Sequence, residues 1–332
     1  MRTKLLSLVS LFSLLLTTSC LDHRELASPS QLQVQDFASR LAAPLGMAID
    51  NKGWIWVTEV AAGRVSVITP DGKSYPVITG FSVALSPENT PDGLNHLAYK
   101  DGVLYILHGV DEKLYKANVA SFKPGDQPLT VNQLDSEPIG QFVLNYQFAQ
   151  DTDDSNLYNL TFGPNGDLYI ADAGANAIIR RTKTGELSVF ATFPNIQNPT
   201  NVGPPFIQVV PTGIVFDGTK FLVTNLVGYP FPAGLSKIYQ VDTNGTVSVY
   251  KDGFTSLVDI ILGADKRPIV VSVAEFGAQG PTPNTGKILS TVGGQTTTLL
   301  QGLNLPTSIV GGAANTYYFS SLVDGTVKKI TY

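Results

Sequence analysis

A four-part pattern recurs six times along this 332-residue chain, and it narrows the possible folds more than any other feature. Each copy begins with a short strand carrying a small or polar marker residue, passes a tight turn such as Asn51-Lys52-Gly53, and enters an unbroken apolar run. The markers are Gly46, Asn95, Asn159, Gly213, Asp259 and Ser308. Runs this short, bounded by glycine and proline, are typical of strands buried on both faces. A third strand and an alternating fourth strand complete each copy.

Four strands per repeat predict an all-β fold, a six-bladed β-propeller with four antiparallel strands per blade. A single blade exposes both of its faces, so the six copies must close into a ring to bury their apolar runs. The last copy has only three strands. The alternating segment 31–37 matches an outer strand, so we expect it to complete the last blade and close the ring. No helix is expected beyond residue 30.

The first twenty residues resemble a bacterial lipoprotein signal. Arg2 and Lys4 precede the apolar run 5–16, and small residues lead directly to Cys20, the only cysteine. Charge, apolar run and small residues in this order are typical of a secretory signal, and twelve residues are too few to span a bilayer, which needs about 20. The resemblance implies that Cys20 is lipidated; an ordinary signal with a chance cysteine is the alternative. We therefore divide the chain into a signal peptide at 1–19, a tether at 20–30 and the propeller at 31–332. The protein is then exported and held at a membrane of the bacterial cell envelope through its lipid alone.

Composition excludes several kinds of site. One cysteine cannot build a disulfide framework or a cysteine-based zinc site. Three histidines, His23, His96 and His108, leave little room for a histidine-rich metal centre. A net charge of −5 argues against nucleic acid as a partner. We expect no cofactor and assign neither a metal ligand nor a catalytic residue.

Loop lengths predict which face of the ring binds a ligand. In a blade of four antiparallel strands, the second-to-third connections and the blade-to-blade crossings share one face, here called the long-loop face. It carries every long segment except Val119–Pro128, which lies between the third and fourth strands of blade 2. The long segments on this face are 79–93, 135–156, 191–211, 226–236 and 276–286. Long loops on a rigid scaffold are where binding usually resides.

A ring of polar residues is expected at the same face, where each second strand ends. Its members are Glu59, His108, Asp172, Asn225, Glu275 and Ser321. Asn95, Asn159 and Asp259 are expected to line the channel beneath, giving an acidic mouth for a cation, a polyol or an amine. The alternative is that each side chain caps its own turn. Tyr229, beside Phe231 in a proline-rich loop, is either a ligand platform or part of a lid packed over its blade.

Segments Pro44–Ile49, Asn159–Asp172 and Val210–Ile214 resemble NHL-type propeller repeats. The stretch Val210–Gly234 with its Gly228–Pro232 loop, followed by Gly253–Asp259, is more similar to the ScyD/ScyE family. That resemblance implies an exported six-bladed propeller without an established activity. Sugar lactonases of the regucalcin type share this architecture and bind a metal in the channel. The comparable positions here are Leu45, Leu94, Tyr158 and Thr212, which cannot ligate a metal.

Two functions remain open from the sequence. The first is a lipid-anchored propeller that binds a small polar ligand or a protein partner on its long-loop face without catalysis. The second is a metal-assisted hydrolase or lactonase-like enzyme at the channel mouth, in which His108 acts with Asp172 or Glu275.

Overall fold

Six consecutive antiparallel sheets form the fold, as the repeat predicted. The computed structural model describes residues 32–86, 90–292, 294–313 and 315–331. Inner strands of successive blades contact one another in turn, and the inner strand of blade 6 contacts that of blade 1, so the ring is closed. The expected six-bladed β-propeller is therefore confirmed.

The strand bounds, from the inner strand outwards, are as follows. They are Pro44–Ile49, Ile55–Glu59, Arg64–Ile68 and Ser74–Thr79 in blade 1; Leu94–Lys100, Val103–His108, Lys113–Asn118 and Asp135–Glu137 in blade 2; Leu157–Phe162, Leu168–Asp172, Ala177–Arg181 and Leu187–Thr192 in blade 3; Pro211–Phe216, Phe221–Asn225, Ser236–Val241 and Val247–Phe254 in blade 4; Leu257–Leu262, Pro268–Ser272, Gly286–Val292 and Gln295–Leu303 in blade 5; and Pro306–Gly311, Thr316–Ser321, Thr326–Thr331 and Gln33–Ala38 in blade 6.

The N-terminal strand closes the ring, as expected. Gln33–Ala38 pairs antiparallel with Thr326–Thr331, and Gln33 lies opposite Thr331. Blade 6 therefore holds strands from both ends of the described chain, which leaves no open seam between its first and last blades. Residues 1–31, with the proposed signal peptide, Cys20 and the tether, lie outside the described residues, and their assignment remains a prediction.

The hydrophobic core lies between neighbouring blades. Second strands are buried along their whole length in four blades, as in Ile55–Glu59 and Phe221–Asn225. Trp56 of blade 1 stacks on Tyr99 of blade 2, with ring centroids 6.0 Å apart. Because each sheet is covered on both faces by its neighbours, the apolar runs do not alternate with polar residues.

Two glycines let the inner strands approach closely. A Cβ added to Gly46 in blade 1 would lie 2.4 Å from the Cα of His96 in blade 2. A Cβ added to Gly213 in blade 4 would lie 2.7 Å from the Cα of Asp259 in blade 5. Neither distance is compatible with a side chain, so the narrow centre of the ring requires glycine at these two markers.

Blade 2 departs from the predicted pattern. The spacing placed its outer strand between Pro128 and Asp135, which is wrong: Leu129–Thr130 pairs in parallel with the outer strand of blade 1, and the outer strand of blade 2 is only Asp135–Glu137. The physical reason is burial, because Leu129 and Val131 pack against the apolar cluster between blades 1 and 2. Short 3-10 turns occur at Val60–Ala62, Val131–Gln133 and Pro164–Gly166.

A short helix, which the sequence did not predict, follows the truncated strand. It spans Ile139–Leu144 and is the one α-helix among the described residues. Ile139 and Val143, one turn apart, are buried between blades 2 and 3. The helix lies within a blade-to-blade crossing and leaves the ring unchanged. No helix in the described part of the chain has the length and apolarity needed to cross a bilayer.

Candidate functional site

The long-loop face carries most of the exposed apolar surface. Three of its long segments contain two-stranded hairpins, which pair Ala84–Leu85 with Pro91–Asp92, Ile196–Gln197 with Phe206–Ile207, and Phe276–Gly277 with Gly280–Pro281. Twelve large apolar side chains of the described residues are exposed. Nine of them lie in crossings or second-to-third connections: Val83, Leu85, Val110, Leu144, Tyr146, Val202, Phe206, Tyr229 and Val323. The other three, Val34, Val249 and Tyr250, lie on outer strands, so the opposite face shows none among the described residues. The exposed apolar side chains of the described residues therefore concentrate on the long-loop face.

The polar ring at the ends of the second strands exists, with one change. Glu59, His108, Asp172, Asn225 and Ser321 end their strands as predicted, whereas the second strand of blade 5 ends at Ser272. The placement of Glu275 in this ring is wrong, because the chain leaves the sheet three residues earlier to form a hairpin. Glu275 instead pairs with Lys287, at 2.9 Å. All six true ring members are at most 3% exposed.

Five of these side chains fasten the preceding crossing to their own blade, and we call them clasp residues. Each bonds a backbone group 16 or 17 residues earlier in the chain. The contacts join Glu59 to the Ala42 N–H (2.7 Å), Asp172 to the Asn156 N–H (2.8 Å), Asn225 to the Val209 carbonyl (2.8 Å), Ser272 to the Thr255 carbonyl (2.6 Å) and Ser321 to the Asn304 carbonyl (2.6 Å). The sequence alternative, that each side chain caps its own turn, holds for Asp172, which also accepts from the Gly174 and Ala175 N–H groups, but the shared role of the five is to hold the preceding crossing.

The two acidic clasp residues differ in electrostatics. Burial alone would raise the pKa of Glu59, but hydrogen bonds from Arg64, Ser66 and the Ala42 N–H bring it below its ordinary value. Burial raises the pKa of Asp172, and the hydrogen bonds that it accepts, the Ser155 hydroxyl among them, only partly oppose that rise. Both carboxylates are therefore held by neighbouring protein groups.

His108 is also committed to local structure. The backbone N–H of Asp111 donates to Nδ1, at 2.9 Å. The ring proton must then sit on Nε2, which lies 3.0 Å from the Ser82 carbonyl and donates to it. His108 is fully buried and, among the described residues, hydrogen-bonds neither Asp172 nor Glu275. The structure gives the predicted acid–base pairing no direct contact.

The inner strands place their third residues around the ring axis, and in blade 2 this residue is His96, not Asn95. Each inner strand has a pairing irregularity after its first residue. Such bulges re-aim side chains. Leu94 of blade 2 pairs with His108, 14 residues later, whereas Leu157 of blade 3 pairs with Asp172, 15 residues later. Because of this one-residue difference, the spacing predicted Asn95 as the channel residue of blade 2 instead of His96.

Asn95 links two blades. Its Nδ2 donates to the Leu157 carbonyl at the start of the next inner strand, at 2.9 Å. Thr212 and Thr307, at the same strand position, donate to the carbonyls of Leu257 and Pro44 in the blades that follow them. The second residue of these inner strands therefore fastens each blade to its successor.

Asn159 and Asp259 come together in the channel, as expected. One oxygen of Asp259 accepts hydrogen bonds from Asn159 Nδ2 (3.0 Å) and the Ile260 N–H (2.9 Å). The other accepts from Ser308 Oγ and the Ile309 N–H, both at 2.9 Å. A carboxylate offers about four acceptor positions, so Asp259 has none left for a ligand. No group of three or more His, Cys, Asp or Glu side chains in the described ranges is arranged to hold a metal ion.

His96 is the channel residue that the sequence analysis missed. Its side chain is 2% exposed, and its Nε2 has no hydrogen-bond partner among the described residues. Its ring lies 5.1 Å from that of Tyr158. Burial lowers the pKa of His96, and the charge of Asp259 opposes that change; burial raises the pKa of Tyr158. Buried polar atoms rarely lack a partner, so the unpaired Nε2 distinguishes His96 from the other polar groups named in the channel. The spacing signal was present, since His96 and His108 are as far apart as Gly213 and Asn225.

An aromatic platform, consisting of Tyr229, Phe231 and Phe276, lies on the long-loop face of blades 4 and 5. Phe231 stacks on Phe276, with centroids 4.5 Å apart, and meets Tyr229 edge-on at 6.2 Å. Tyr229 is 58% exposed and lies against Gly203 of the preceding crossing. Each of the two functions predicted for this loop fits one of its residues. Phe231 packs over the neighbouring blade, as a lid would, whereas Tyr229 faces solvent, as a ligand platform would.

Comparisons with known proteins support the fold. No protein-family model and no curated protein matches the sequence. A catalytically inactive variant of virginiamycin B lyase from Staphylococcus aureus, solved with quinupristin, is similar with a TM-score of 0.53 and 18% identity, over 91% of this chain and 100% of the other. The PQQ-bound aldose sugar dehydrogenase from Streptomyces coelicolor is similar with a TM-score of 0.62 and 13% identity, over 92% of this chain and 99% of the other. A gluconolactonase from Xanthomonas campestris is similar with a TM-score of 0.58 and 9% identity, over 90% of this chain and 89% of the other. At these identities the similarity shows a six-bladed propeller and no shared chemistry.

Replacing a clasp carboxylate tests the structural role of the ring. Because the folded-state pKa of Glu59 is lowered, its charge contributes stability above the ordinary glutamate pKa, and this contribution is lost as the pH falls through the folded value. We expect Glu59→Gln to lower the free energy of unfolding by about 1–3 kcal/mol near neutral pH, and by less in acid. Urea unfolding at a series of pH values measures this difference. Glu186→Gln, on an exposed turn, is the control and should change little; a loss for Glu59→Gln that does not vary with pH would contradict the argument.

Proposed function

We propose that this protein is a binding protein whose ligand docks on the long-loop face against the aromatic platform. The asymmetry of exposed apolar side chains is the observation that carries the proposal. Nine of twelve lie on this face, and Tyr229 is among the most exposed. Where exposed apolar side chains adjoin, as Tyr229 adjoins Phe231, they provide surface that a ligand can cover.

The chemistry of the platform favours a small ligand with one flat face and polar edges. Aromatic rings provide area and stacking for a planar ring, while hydrogen bonds to backbone groups set its orientation. The clasp residues and Asp259 form their hydrogen bonds to other groups of the protein. Recognition therefore depends on the platform and the loops beside it more than on the polar ring. Glu59, His108, Asp172 and Asn225 contribute by holding those loops in place.

Truncating the exposed ring should remove binding without unfolding the protein. Saturation-transfer NMR against small molecules that contain a single flat aromatic or sugar ring identifies ligands of the wild type. For these, we expect Tyr229→Ala to weaken binding roughly tenfold, which is about 1.4 kcal/mol, with stability changed by less than about 0.5 kcal/mol. Tyr250→Ala, an equally conservative truncation on an outer strand, is the matched control.

The outcome that rejects this proposal is specific. If every ligand found binds Tyr229→Ala and Tyr250→Ala equally well, the aromatic platform is not the site. A screen without any ligand would likewise contradict a binding protein for molecules of this class.

A second candidate, an enzyme acting in the channel, is favoured by His96. A buried imidazole whose Nε2 has no partner among the described residues, with a tyrosine ring 5.1 Å away, could transfer a proton. The solved structures with this fold include a lyase and a lactonase. In this proposal His96 takes the place that the sequence analysis gave to His108, and Tyr158 positions the reacting group.

The two histidines separate the catalytic from the structural role. Assays with gluconolactone and quinupristin should show turnover that His96→Gln abolishes and His108→Gln retains in its folded fraction. Because burial lowers the pKa of His96, its basic form persists below the ordinary histidine pKa, and the rate should hold in mildly acidic buffer. Turnover that survives in His96→Gln would exclude this residue, and a complete lack of turnover would leave the binding function alone.

We further propose that the protein is an exported, lipid-anchored member of the ScyD/ScyE family. The signal pattern at 1–19 and Cys20 support the address. The two segments that carry the family resemblance meet at the junction of blades 4 and 5, where the Gly234 N–H donates to Thr255 Oγ1 at 3.0 Å.

Replacing the lipidated residue tests this address. Wild-type protein made in a bacterial host should be recovered from membranes with an acylated N-terminal cysteine, as seen by mass spectrometry of the first peptide. Cys20→Ser should yield protein that lacks the acyl chains and leaves the membrane fraction. A variant that stays acylated and membrane-bound would contradict the anchor.

A further inference from the structure

The rim between blades 2 and 3 breaks the regularity of the ring. In blades 1 and 4 the turn between the third and fourth strands packs against the outer strand of the preceding blade, at Gly72 against Phe37 and at Gly245 against Phe190. In blade 2 the outer strand has only three residues, so the corresponding turn at Gly185 lies beside a groove. The helix Ile139–Leu144 occupies part of the space and leaves its outer side uncovered.

Two adjacent depressions flank this helix. One has a volume of 730 Å³ and is lined by Phe142, Tyr146, Arg181 and Leu187, among others. The other, of 390 Å³, is lined by Asp111, Glu112 and Leu144. Both share Pro138, Gln141 and Asn145, so they form one continuous furrow across the helix, here called the helix furrow. It extends from the long-loop face at Asp111 to the outer turn of blade 3.

The furrow has a rigid floor and exposed apolar side chains. The Gly140 N–H donates to the Glu112 carbonyl at 2.9 Å and fixes the helix to blade 2. Leu144 is 47% exposed and Tyr146 is 41% exposed. Tyr146 is held from behind by Phe148, whose ring centroid is 4.7 Å away. The exposed side chains are thus presented by a fixed backbone, which lowers the entropy cost of binding.

One end of the furrow carries uncompensated negative charge. Asp111 hydrogen-bonds only neutral groups, Ser82 and Tyr115, through its side chain. Glu112 and Asp154 form no salt bridge with a lysine or arginine among the described residues. Burial raises the pKa of Glu112, and the nearby charges of Asp154 and Asp172 raise it further. A cation placed there would relieve this repulsion.

We propose that the helix furrow docks an extended peptide segment of a partner protein, with a basic side chain at Asp111 and Glu112 and an apolar side chain against Leu144 and Tyr146. The amides of Gln141 and Asn145, at the middle of the furrow, suit the backbone of an extended chain. A small amine would satisfy only the acidic end, and a purely apolar ligand would leave the carboxylates unpaired. The surface is separate from the aromatic platform, so this partner and the proposed ligand bind independently.

A random peptide library displayed on phage, panned on the immobilised full-length protein, tests this without presuming a partner. Enriched sequences should combine lysine or arginine with large apolar residues. Synthetic versions should bind in fluorescence anisotropy, and the double variant Glu112→Gln/Tyr146→Ser should weaken binding at least about tenfold. The control Asp252→Asn/Tyr250→Ser makes matched changes on the exposed outer strand of blade 4, away from the furrow, and should bind as the wild type does. Hydrogen exchange should slow at residues 138–146 when the peptide is bound.

Several outcomes would overturn the proposal. Enrichment of acidic sequences, or of none, would exclude a basic peptide. Peptides that bind Glu112→Gln/Tyr146→Ser as well as the wild type dock elsewhere. If lysine amide competes as well as the peptide does, the site takes a small amine instead. Loss of peptide binding in Tyr229→Ala would place the peptide on the aromatic platform, whereas its retention there shows that the furrow acts independently of that function.

Discussion

Hydrogen bonds between polar side chains and the backbone of neighbouring segments keep the six sheets in register around one axis. A propeller has little chain connectivity to hold its centre, since each blade joins the next through a single crossing. The clasp residues fasten each of five crossings to its own blade, and Asn95, Thr212 and Thr307 fasten inner strands to the next blade. Each bond is worth about 1 kcal/mol net, and leaving its buried partner unpaired costs more. Apolar packing between blades drives closure, while these bonds fix its geometry.

Holding the blades together in this way uses the hydrogen-bonding capacity of the polar side chains that, from the sequence, most resemble active-site residues. A carboxylate or imidazole at the end of a buried strand resembles an active-site residue, yet Asp172 accepts four hydrogen bonds and His108 uses both ring nitrogens. The same holds for Asp259, which joins blades 3, 5 and 6. The surface left to interact with other molecules is then largely apolar and lies on the loops. The binding sites that we propose, at Tyr229 and in the helix furrow, accordingly lie outside the polar ring.

The repeat in the sequence predicted the ring of blades, which depends on periodicity. It did not predict the placement of individual residues where a strand is shorter or pairs with another blade. Six similar apolar runs predict the ring, because closing the blades into a circle buries both faces of each run. The polar ring followed from the same period, but Glu275 was misplaced because the second strand of blade 5 ends three residues earlier, at Ser272. His96 was overlooked because blade 2 is one residue shorter between its paired strands. Leu129 joined blade 1 because burial there outweighed the local order of strands. The early end of the blade 5 strand and the pairing of Leu129 leave no pattern that spacing alone detects, whereas the distance from His96 to His108 matches that from Gly213 to Asn225 and did mark His96.

The choice between a binding protein and an enzyme depends on how many channel groups remain free. The solved propellers of similar fold include a lyase, a lactonase and a dehydrogenase, at identities of 9% to 18%. The architecture therefore permits catalysis without implying it. General acid–base chemistry usually needs a proton acceptor and a group that orients or stabilises its product. Here His96 supplies the first, while the acceptor positions of Asp259 are filled by protein donors and Asn95 is committed to the next blade. Among the described channel residues considered for this role, Tyr158 remains to assist His96, and we therefore propose binding first and catalysis second.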